Sequence, residues 1–406
     1  MDPRPTSTAP EPDKGLRPRS QWGTIVVVYL AGVVAAMGLG KFASVGPVIA
    51  DQLGLSLSQL GWVISAVVGV GAVAGLPAGY LVRRFGADRS LVSGLVLIAV
   101  ASAASMAAGD FTWLLVIRGL EGVGYLLVTI ACPALILRLA QGRDRGAALS
   151  LWATFVPVGL GVSTLAGGAL GSALGWRGWI GLIAGLTFAM ALAVRARLPR
   201  GAGRWVAAGP VPRAGALIWP VVLAVSFCLS AMVTIPVIVL LPTLLIEEYG
   251  RSAAATGALT SVVSVLGVLG GLAVGVLLRR GVPVGVLALP GLLVVPAAWF
   301  MYGGGSQVAA LTGAGVVSVA NGFLAALVFA ALPLVLRHLD HADVGNGVVA
   351  QAGSVGSLVG PPLFGMVADG PGFPALVPVI AAGIVVSVGA LLLAGRRAAR
   401  HLPDGG

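Results

Sequence analysis

Residues 22–47 read WGTIVVVYLAGVVAAMGLGKFASVGP, an apolar run that contains a single charged residue, Lys41. A helix needs about 20 apolar residues to cross the hydrocarbon core of a bilayer. A cleavable signal peptide has an apolar region of only about 7–15 residues. We therefore predict that this run forms a membrane-spanning helix that is retained in the mature protein.

Eleven more apolar runs follow the first and are separated by short polar connections. The predicted spans are 22–47, 57–82, 90–108, 111–137, 146–172, 178–194, 216–245, 253–278, 283–302, 307–335, 345–368 and 374–394. The predicted fold class is therefore an all-α integral membrane protein with twelve transmembrane helices. An even number of spans places both termini on one side of the membrane.

Composition supports a membrane protein. Only 10% of the residues are charged, whereas soluble proteins carry about 25%. The 61 glycines suit membrane helices that pack with their backbones close together. The net charge of +11 could indicate a nucleic-acid partner, but the basic residues form short clusters between apolar runs, so none is expected. Cys132 and Cys228 lie in apolar runs, and no spacing indicates a disulfide, a metal site or a cofactor.

The basic residues predict the orientation. Of the 25 Lys and Arg residues, Lys41 and Arg118 lie within spans and Arg177 and Arg251 lie in loops on one side. The other 21 lie on the opposite side. Because Lys and Arg accumulate in cytoplasmic loops, that side is predicted to be cytoplasmic. We expect a multi-pass protein of the cell inner membrane with both termini in the cytoplasm.

The longest hydrophilic connection divides the spans into two sets of six. It covers residues 195–215 and contains five Arg residues together with Gly and Pro. The predicted organisation is a disordered cytoplasmic tail (1–21), an N-terminal bundle (22–194), a cytoplasmic linker (195–215), a C-terminal bundle (216–394) and a second cytoplasmic tail (395–406).

The two halves repeat a pattern at an offset of 196 residues. The matching positions are Gly71 with Gly267, Gly75 with Gly271, Gly79 with Gly275, and Arg83-Arg84 with Arg279-Arg280. Two six-helix bundles related by pseudo-symmetry are a known transporter architecture. The alternative is a chance match between helices that are both rich in glycine.

The loop after the second span carries a recognisable motif. Residues 79–89 read GYLVRRFGADR, which resembles the signature loop of the major facilitator superfamily, Gly-x-x-x-Asp-Arg-x-Gly-x-Arg. Gly79, Arg84 and Gly86 match, but Arg83 occupies the family's Asp position and the nearest acid is Asp88. The resemblance implies two bundles that rock about a central site. It also implies a cytoplasmic latch between them, formed by Gly79, Arg83, Arg84, Gly86, Asp88 and Arg89. The departure at Arg83 leaves the partner of the latch open, and a simple positively charged loop is the alternative.

Two further stretches resemble this superfamily. Residues 118–124 read RGLEGVG, similar to the family's second motif. The fifth span ends like the antiporter motif, but Ser163-Thr164 replaces its Gly-Pro, so it gives little support to antiport. The segments around Gly40-Lys41-Phe42, Glu121-Gly122, Trp152, Pro157 and 351–362 resemble the cyanate and nitroimidazole transporter-like branch.

Three charged residues lie within the predicted spans, where charge is costly and usually functional. Lys41, Arg118 and Glu121 are predicted about 9, 10 and 15 Å below the outer ends of spans one and four. Arg118 and Glu121 share a helix face at i, i+3. One interpretation is an internal ion pair that holds the bundle together. The other is a solute site, because two cations and one anion leave a surplus of one positive charge for a carboxylate. A third is that Lys41 extends outward to water.

The remaining site candidates are polar or aromatic. The predicted solute contacts are Lys41, Arg118, Glu121, Tyr125, Trp152, Asn321 and Gln351, with Glu121 also the candidate for proton coupling. No charge lies in the predicted spans of the second half, so charge recognition is assigned to the first half. Packing is the alternative role for the uncharged members.

These features predict a secondary transporter of a small, carboxylate-like anion, with uptake by proton symport as the coupling hypothesis. Its expected partners are the solute and the lipid bilayer, and a monomer is expected. The first alternative is a drug or metabolite exporter of the same fold. A membrane enzyme is a remote alternative, because His338 and His341 flank Asp340 in one loop but no nucleophile motif accompanies them.

Overall fold

The computed structural model describes residues 20–42, 45–55, 57–142, 144–198, 212–251, 253–303 and 305–399. The prediction of an all-α membrane fold is confirmed, since the described residues form helices and short connections without strands. Residues 1–19 of the predicted N-terminal tail, 199–211 of the linker and 400–406 of the C-terminal tail lie outside the described residues.

The α-helices follow one another along the chain with short connections. In chain order they are α1 Trp22–Gly40, α2 Gly46–Leu53, α3 Leu57–Phe85, α4 Ala87–Ser105, α5 Phe111–Leu139, α6 Asp144–Trp152, α7 Phe155–Arg197, α8 Ile218–Glu247, α9 Ala253–Arg279, α10 Val284–Ala288, α11 Val294–Tyr302, α12 Gln307–Val335, α13 Ala342–Asp369 and α14 Leu376–Ala399. A 3₁₀ segment, Leu289–Leu293, joins α10 to α11 at Pro290.

Eleven helical segments of the described chain are long and apolar enough to cross a membrane. They coincide with eleven of the twelve predicted spans. The remaining run, 345–368, forms most of α13, which is 28 residues long but rich in Gly and contains Pro361 and Pro362. Because α13 packs against α3, α5 and α8, neighbouring helices rather than lipid cover much of its surface. This packing explains how α13 can lie among the membrane-spanning helices although it is less apolar than they are.

Several span boundaries differ from the prediction. The first helix ends at Gly40, not near Pro47, and Lys41 and Phe42 lie in a turn before α2. The fifth and sixth spans are joined in α7, whose helical path is interrupted at Gly175 with φ 70°, a backbone conformation that glycine adopts most readily. Residues 395–399, predicted as tail, continue α14, and residues 195–197, predicted as linker, complete α7.

The helices form an N-terminal bundle, α1–α7, and a C-terminal bundle, α8–α14. The bundles meet through α3 and α5 against α13, and through α6 against α9 and α12. We call the end of the molecule at which α3, α5, α9 and α14 terminate the basic end, because each of these helices has Arg in its last turn.

The repeated glycines lie at these contacts between bundles. A Cβ at Gly79 would lie 3.0 Å from the Asp343 carbonyl oxygen of α13, and a Cβ at Gly275 would lie 3.2 Å from Ser150 Cβ of α6. Glycine at both positions lets helices of different bundles approach closely. The sequence repeat therefore has a physical counterpart in two related contacts.

Candidate functional site

Helix α1 ends at Gly40, where neighbouring helices bury its last turn. Its 19 residues reach about 28 Å from the basic end at 1.5 Å per residue. The last carbonyls of a helix have no intrahelical donor, and hydrocarbon supplies none. Side chains from α5 and α7 donate to them instead. The bonds run from Ser163 Oγ to Met37 O (3.0 Å), from the Arg118 guanidinium to Gly38 O (3.2 Å) and Leu39 O (3.4 Å), and from Trp179 Nε1 to Lys41 O (3.0 Å).

Arg118 uses all its hydrogen-bond donors within the protein. Besides the two carbonyls at the end of α1, it donates to Val63 O (2.8 Å) and Ile64 O (3.3 Å) of α3 and to Glu121 Oε2 (2.6 Å). These contacts account for the five N–H groups of a guanidinium. Its charge also lies over the ring of Phe42, 4.8 Å from the centroid. No N–H group of Arg118 is left for a solute in this state.

Glu121 is the carboxylate shared by both cations. Its Oε1 accepts from Lys41 Nζ and from Ser102 Oγ (2.8 Å), and its Oε2 accepts from Arg118. Lys41 Nζ also donates to Ser102. We call Lys41, Arg118 and Glu121 the charged cluster. It is enclosed by α1, α3, α4 and α5, and its three residues are exposed by 0%, 0% and 2%.

The charged cluster carries a net positive charge. Two cations and one carboxylate sum to one unit. The C-terminal end of α1 contributes the equivalent of about half a negative charge. A surplus of about half a positive charge therefore stays in the part of the N-terminal bundle far from the basic end, in surroundings where solvent screens it little.

The predicted aromatic contacts lie nearer the basic end. Trp152 is fully buried and stacks on Phe155 with ring centroids 4.0 Å apart, and Tyr125 lies 6.5 Å from Phe155. A Cβ at Gly32 of α1 would lie 2.7 Å from Cη2 of the Trp152 ring and closer still to Cζ3, so this glycine makes room for the indole. Gly32 precedes Lys41 by nine residues, which separates this aromatic group from the charged cluster by about 13 Å along α1.

The predicted contacts of the second half are separate from each other. In α12, Asn321 Oδ1 accepts from Thr234 Oγ1 at 2.7 Å, and its amide nitrogen has no hydrogen-bond partner among the described residues. In α13, the Gln351 amide bonds to the backbone of α3. The structure thus brings Lys41, Arg118 and Glu121 together inside one bundle and places the other four candidates in three different regions. A common solute site for all seven stays a prediction.

Ion pairs connect the two bundles at the basic end. Arg83 of α3 contacts both the carboxylate (3.3 Å) and the backbone carbonyl of Asp340, and Arg138 of α5 holds both oxygens of Asp343 at 2.8 and 2.6 Å. Arg279 of α9 pairs with Asp144 of α6 at 2.9 Å. We call these three pairs the basic-end latch. Within the described part of the chain, every ion pair between the bundles is at this end, so the bundles are closed there.

The residues predicted for a latch have different environments. Gly79 and Arg83 lie at the contact with α13 and its preceding turn. Gly86 precedes α4 with φ 93°, and Asp88 buries its Oδ1, which accepts no hydrogen bond from any residue that the structure describes. Arg84 and Arg89 are exposed.

Sequence reasoning missed Arg138, Asp144, Asp340 and Asp343. The one available signal was that two acids stand together in the turn before the eleventh span.

The fold and its contacts define a polytopic transporter made of two helical bundles that are joined by ion pairs at one end. The model of the Major Facilitator Superfamily matches residues 28–361, and the chain belongs to this superfamily. The family and the relatives that the chain matches are transporters, not enzymes. The resemblance to the cyanate and nitroimidazole branch stays a prediction.

Individual relatives differ in how much they cover. The chain is 28% identical to the 3-(3-hydroxy-phenyl)propionate transporter of Escherichia coli over 410 residues, covering 94% of this chain and 95% of that protein. It is 32% identical over 162 residues to an uncharacterised transporter of Mycobacterium tuberculosis and 27% identical over 154 residues to the galactose-proton symporter of Escherichia coli. These two matches cover 40% and 38% of this chain but only 28% and 33% of those relatives.

Solved structures confirm the fold. The transporter FucP in the outward conformation superposes with a TM-score of 0.75 at 17% identity, over 91% of this chain and 98% of that one. The human organic anion transporter MFSD10 gives the same TM-score at 16% identity and the same coverage of both chains.

Proposed function

We propose that this protein is a secondary transporter that takes up a small organic anion with a carboxylate group together with a proton, by alternating exposure of a site between the bundles. The observation that carries the proposal is the surplus positive charge of the charged cluster. The basic end, where the latch lies, faces the cytoplasm of the inner membrane in this proposal, and the protein acts as a monomer.

The charged cluster acts on the solute through its field and not through direct bonds from Arg118. At an effective dielectric constant of about 20, a unit charge about 10 Å away stabilises an anion by about 1.7 kcal/mol. The helix end reduces the surplus to about half a unit, which leaves about 0.8 kcal/mol. A neutral analogue of the same shape therefore binds several-fold more weakly, and a cation more weakly still.

Two further observations support an aromatic carboxylate as the first solute to test. The relative aligned over almost its whole length is named for 3-(3-hydroxy-phenyl)propionate, which combines a ring with a carboxylate. The half-buried ring of Tyr125, beside the buried Trp152 and Phe155, offers an apolar surface. Ring stacking on such side chains adds about 0.5–1.5 kcal/mol beyond burial.

Glu121 is the proposed proton carrier, because it is the one carboxylate within the predicted spans. Its oxygens are held by Lys41, Ser102 and Arg118, so the charged form is favoured while both cations face it. The negative charge of a nearby solute favours the neutral form of Glu121, which then accepts a proton. The incoming anion and proton add no net charge to the site.

Counterflow in proteoliposomes tests the anion preference. We expect accumulation of 3-phenylpropionate and much weaker accumulation of its neutral amide. Lys41→Gln leaves the balanced pair of Arg118 and Glu121, so the protein should fold but lose the difference between acid and amide. The matched control, Lys41→Arg, keeps the charge and the preference. Equal transport of acid and amide by the wild type contradicts the proposal.

Proton coupling is measured on the wild type with a pH dye inside the vesicles. Inward movement of 3-phenylpropionate should acidify the lumen when no other pH gradient is imposed, and an inward proton gradient should accelerate uptake. Uptake that is indifferent to the proton gradient, with no change in the dye signal, removes the symport step and leaves anion transport standing.

Export is the second candidate, favoured by one relative. The chain is 28% identical over 233 residues to the tetracenomycin C resistance and export protein of Streptomyces glaucescens, covering 54% of this chain and 42% of that protein. A lipophilic cation such as tetraphenylphosphonium separates the two functions. Counterflow of this cation in preference to 3-phenylpropionate supports export of a different cargo.

A further inference from the structure

One turn of helix α3, near the middle of its contact with the C-terminal bundle, lacks a backbone hydrogen bond. Pro77 lies inside α3. Since proline has no N–H group, it cannot bond to the carbonyl four residues earlier, which is Val73 O. In a membrane, a backbone carbonyl without a donor is costly. Neighbouring helices often supply the missing partner at such positions.

The Gln351 side chain of α13 supplies partners at this turn. Its Nε2 donates to Ala72 O at 3.0 Å and to Val73 O at 3.4 Å, and its Oε1 accepts from the Leu76 N–H at 2.9 Å. One primary amide therefore bonds to donors and acceptors of the same helical turn. Both the NH₂ group and the C=O group of the Gln351 side chain therefore form hydrogen bonds with the N-terminal bundle.

The surrounding backbones are close enough to make this contact specific. A Cβ at Gly75 would lie 2.7 Å from Gln351 Cα, and a Cβ at Gly347 would lie 2.6 Å from the Gly75 carbonyl oxygen. The contact between the two helices continues to Gly79 at the basic end and, in the other direction, to Gly71, where a Cβ would lie 3.1 Å from Ser354 Cβ. Gln351 therefore lies within this contact, about 6 Å from Gly79 along α3.

We propose that Gln351 is a positioning residue that clasps the proline-interrupted turn of α3 and stabilises the state in which the bundles are closed at the basic end. When α13 moves away from α3, the amide releases Ala72 O, Val73 O and Leu76 N–H together. The clasp links the opening of the basic end to a discrete change near the middle of the membrane. This assignment differs from a solute contact for Gln351, and it does not depend on the identity of the solute.

Distance measurements between spin labels test the clasp without any ligand. Arg84 and Arg280 are exposed at the basic end of different bundles, and labels at Arg84→Cys and Arg280→Cys report its opening once Cys132 and Cys228 are replaced by Ala. Gln351→Met keeps the volume of the side chain and removes its hydrogen bonds. We expect the ratio of long to short distances in nanodiscs to rise at least about threefold, because one interhelical bond in a membrane averages about 0.6 kcal/mol.

Ser357→Ala is the matched control on the same helix, because among the described residues the Ser357 hydroxyl bonds only to Gly353 O of α13. It should leave the distance distribution unchanged. If Gln351→Met shifts the distribution no more than Ser357→Ala, the proposal is wrong. Gln351→Glu keeps the acceptor but loses the donors, and it should also favour the long distance.

A double substitution separates the clasp from general packing. Pro77→Ala restores an N–H group for Val73 O, so the turn needs the Gln351 amide less. In this background Gln351→Met should shift the distance ratio clearly less than it does in the wild type. Equal shifts in both backgrounds show that Gln351 acts through packing alone and overturn the assignment. The same variants are tested in counterflow. An unchanged preference for the acid over the amide shows that the shift in distances does not arise from the loss of a solute contact.

Discussion

Two ionic networks of this molecule pair basic side chains with carboxylates for different purposes. The charged cluster lies within one bundle, and its three side chains are buried. The basic-end latch joins the two bundles, and its members range from the buried Asp343 to Arg279, whose side chain is 48% exposed. Movement of the bundles as rigid bodies leaves the charged cluster intact and breaks the latch.

Each network controls a different property of the protein. Arg118 of the charged cluster donates to two carbonyls at the buried end of α1, so loss of the cluster acts on folding. The latch exists in one conformational state, so its loss acts on the balance between states. A substitution in the first network should lower stability, and one in the second should change the population of open and closed forms.

The largest effect is expected from Glu121→Gln. It leaves Lys41 and Arg118 buried without a carboxylate, and breaking a buried ion pair from one side costs about 3–5 kcal/mol. We expect a strongly reduced melting temperature and a loss of monodisperse protein in size-exclusion chromatography. Asp144→Asn, which removes a partly exposed carboxylate, is the control and should melt close to the wild type. Similar melting of the two variants contradicts a folding role for the charged cluster.

The next effect is expected from Arg138→Ala, which leaves the Asp343 carboxylate without its bidentate partner. Removing one member of a buried, hydrogen-bonded charge pair costs about 2–5 kcal/mol. Here the bundles can separate and let water reach Asp343, so the cost appears as opening of the basic end. With the labels at residues 84 and 280, the long distance should become dominant while melting changes less than in Glu121→Gln. Arg89→Ala, an exposed neighbour, serves as the control.

A smaller effect is expected from the position at which the sequence departs from its family. Arg83→Asp restores the acid of the family motif but places it beside Asp340, so two like charges face each other across the bundles. We expect partial opening of the basic end, and closure again in the double variant Arg83→Asp with Asp340→Arg. If Arg83→Asp favours the closed state, the latch does not depend on the charge pairing seen in this structure.

The sequence predicts the spans well because the bilayer fixes the length of an apolar run. It does not predict that α1 stops at Gly40, since the apolar run continues past Lys41 and the capping donors Ser163 and Trp179 come from a distant part of the chain. The partners of Arg118 are mostly backbone carbonyls, which every residue has and no pattern distinguishes.

Long sequence separation hides the latch and the clasp in the same way. Arg83 and Asp340 are 257 residues apart, and Arg138 and Asp343 are 205 residues apart. The sequence identifies Arg83 as a departure from the family motif and Gln351 as a polar residue in a span, but it does not show which residues they contact. The packing of α3 on α13 decides both contacts.

The smallest effect is expected at the exposed pair of the latch, whose response to salt should differ from that of the buried pair. The side chains of Arg279 and Asp144 are 48% and 34% exposed, and exposed pairs contribute about 0–1 kcal/mol. Arg279→Ala should shift the distance distribution slightly in dilute buffer and not at all at about 1 M salt, where the screening length falls to about 3 Å. The Arg138→Ala shift should persist at that salt, because the Asp343 carboxylate is shielded from ions. If salt abolishes both shifts, the buried and exposed pairs contribute to closure by the same screened attraction, and the distinction between them within the latch is lost.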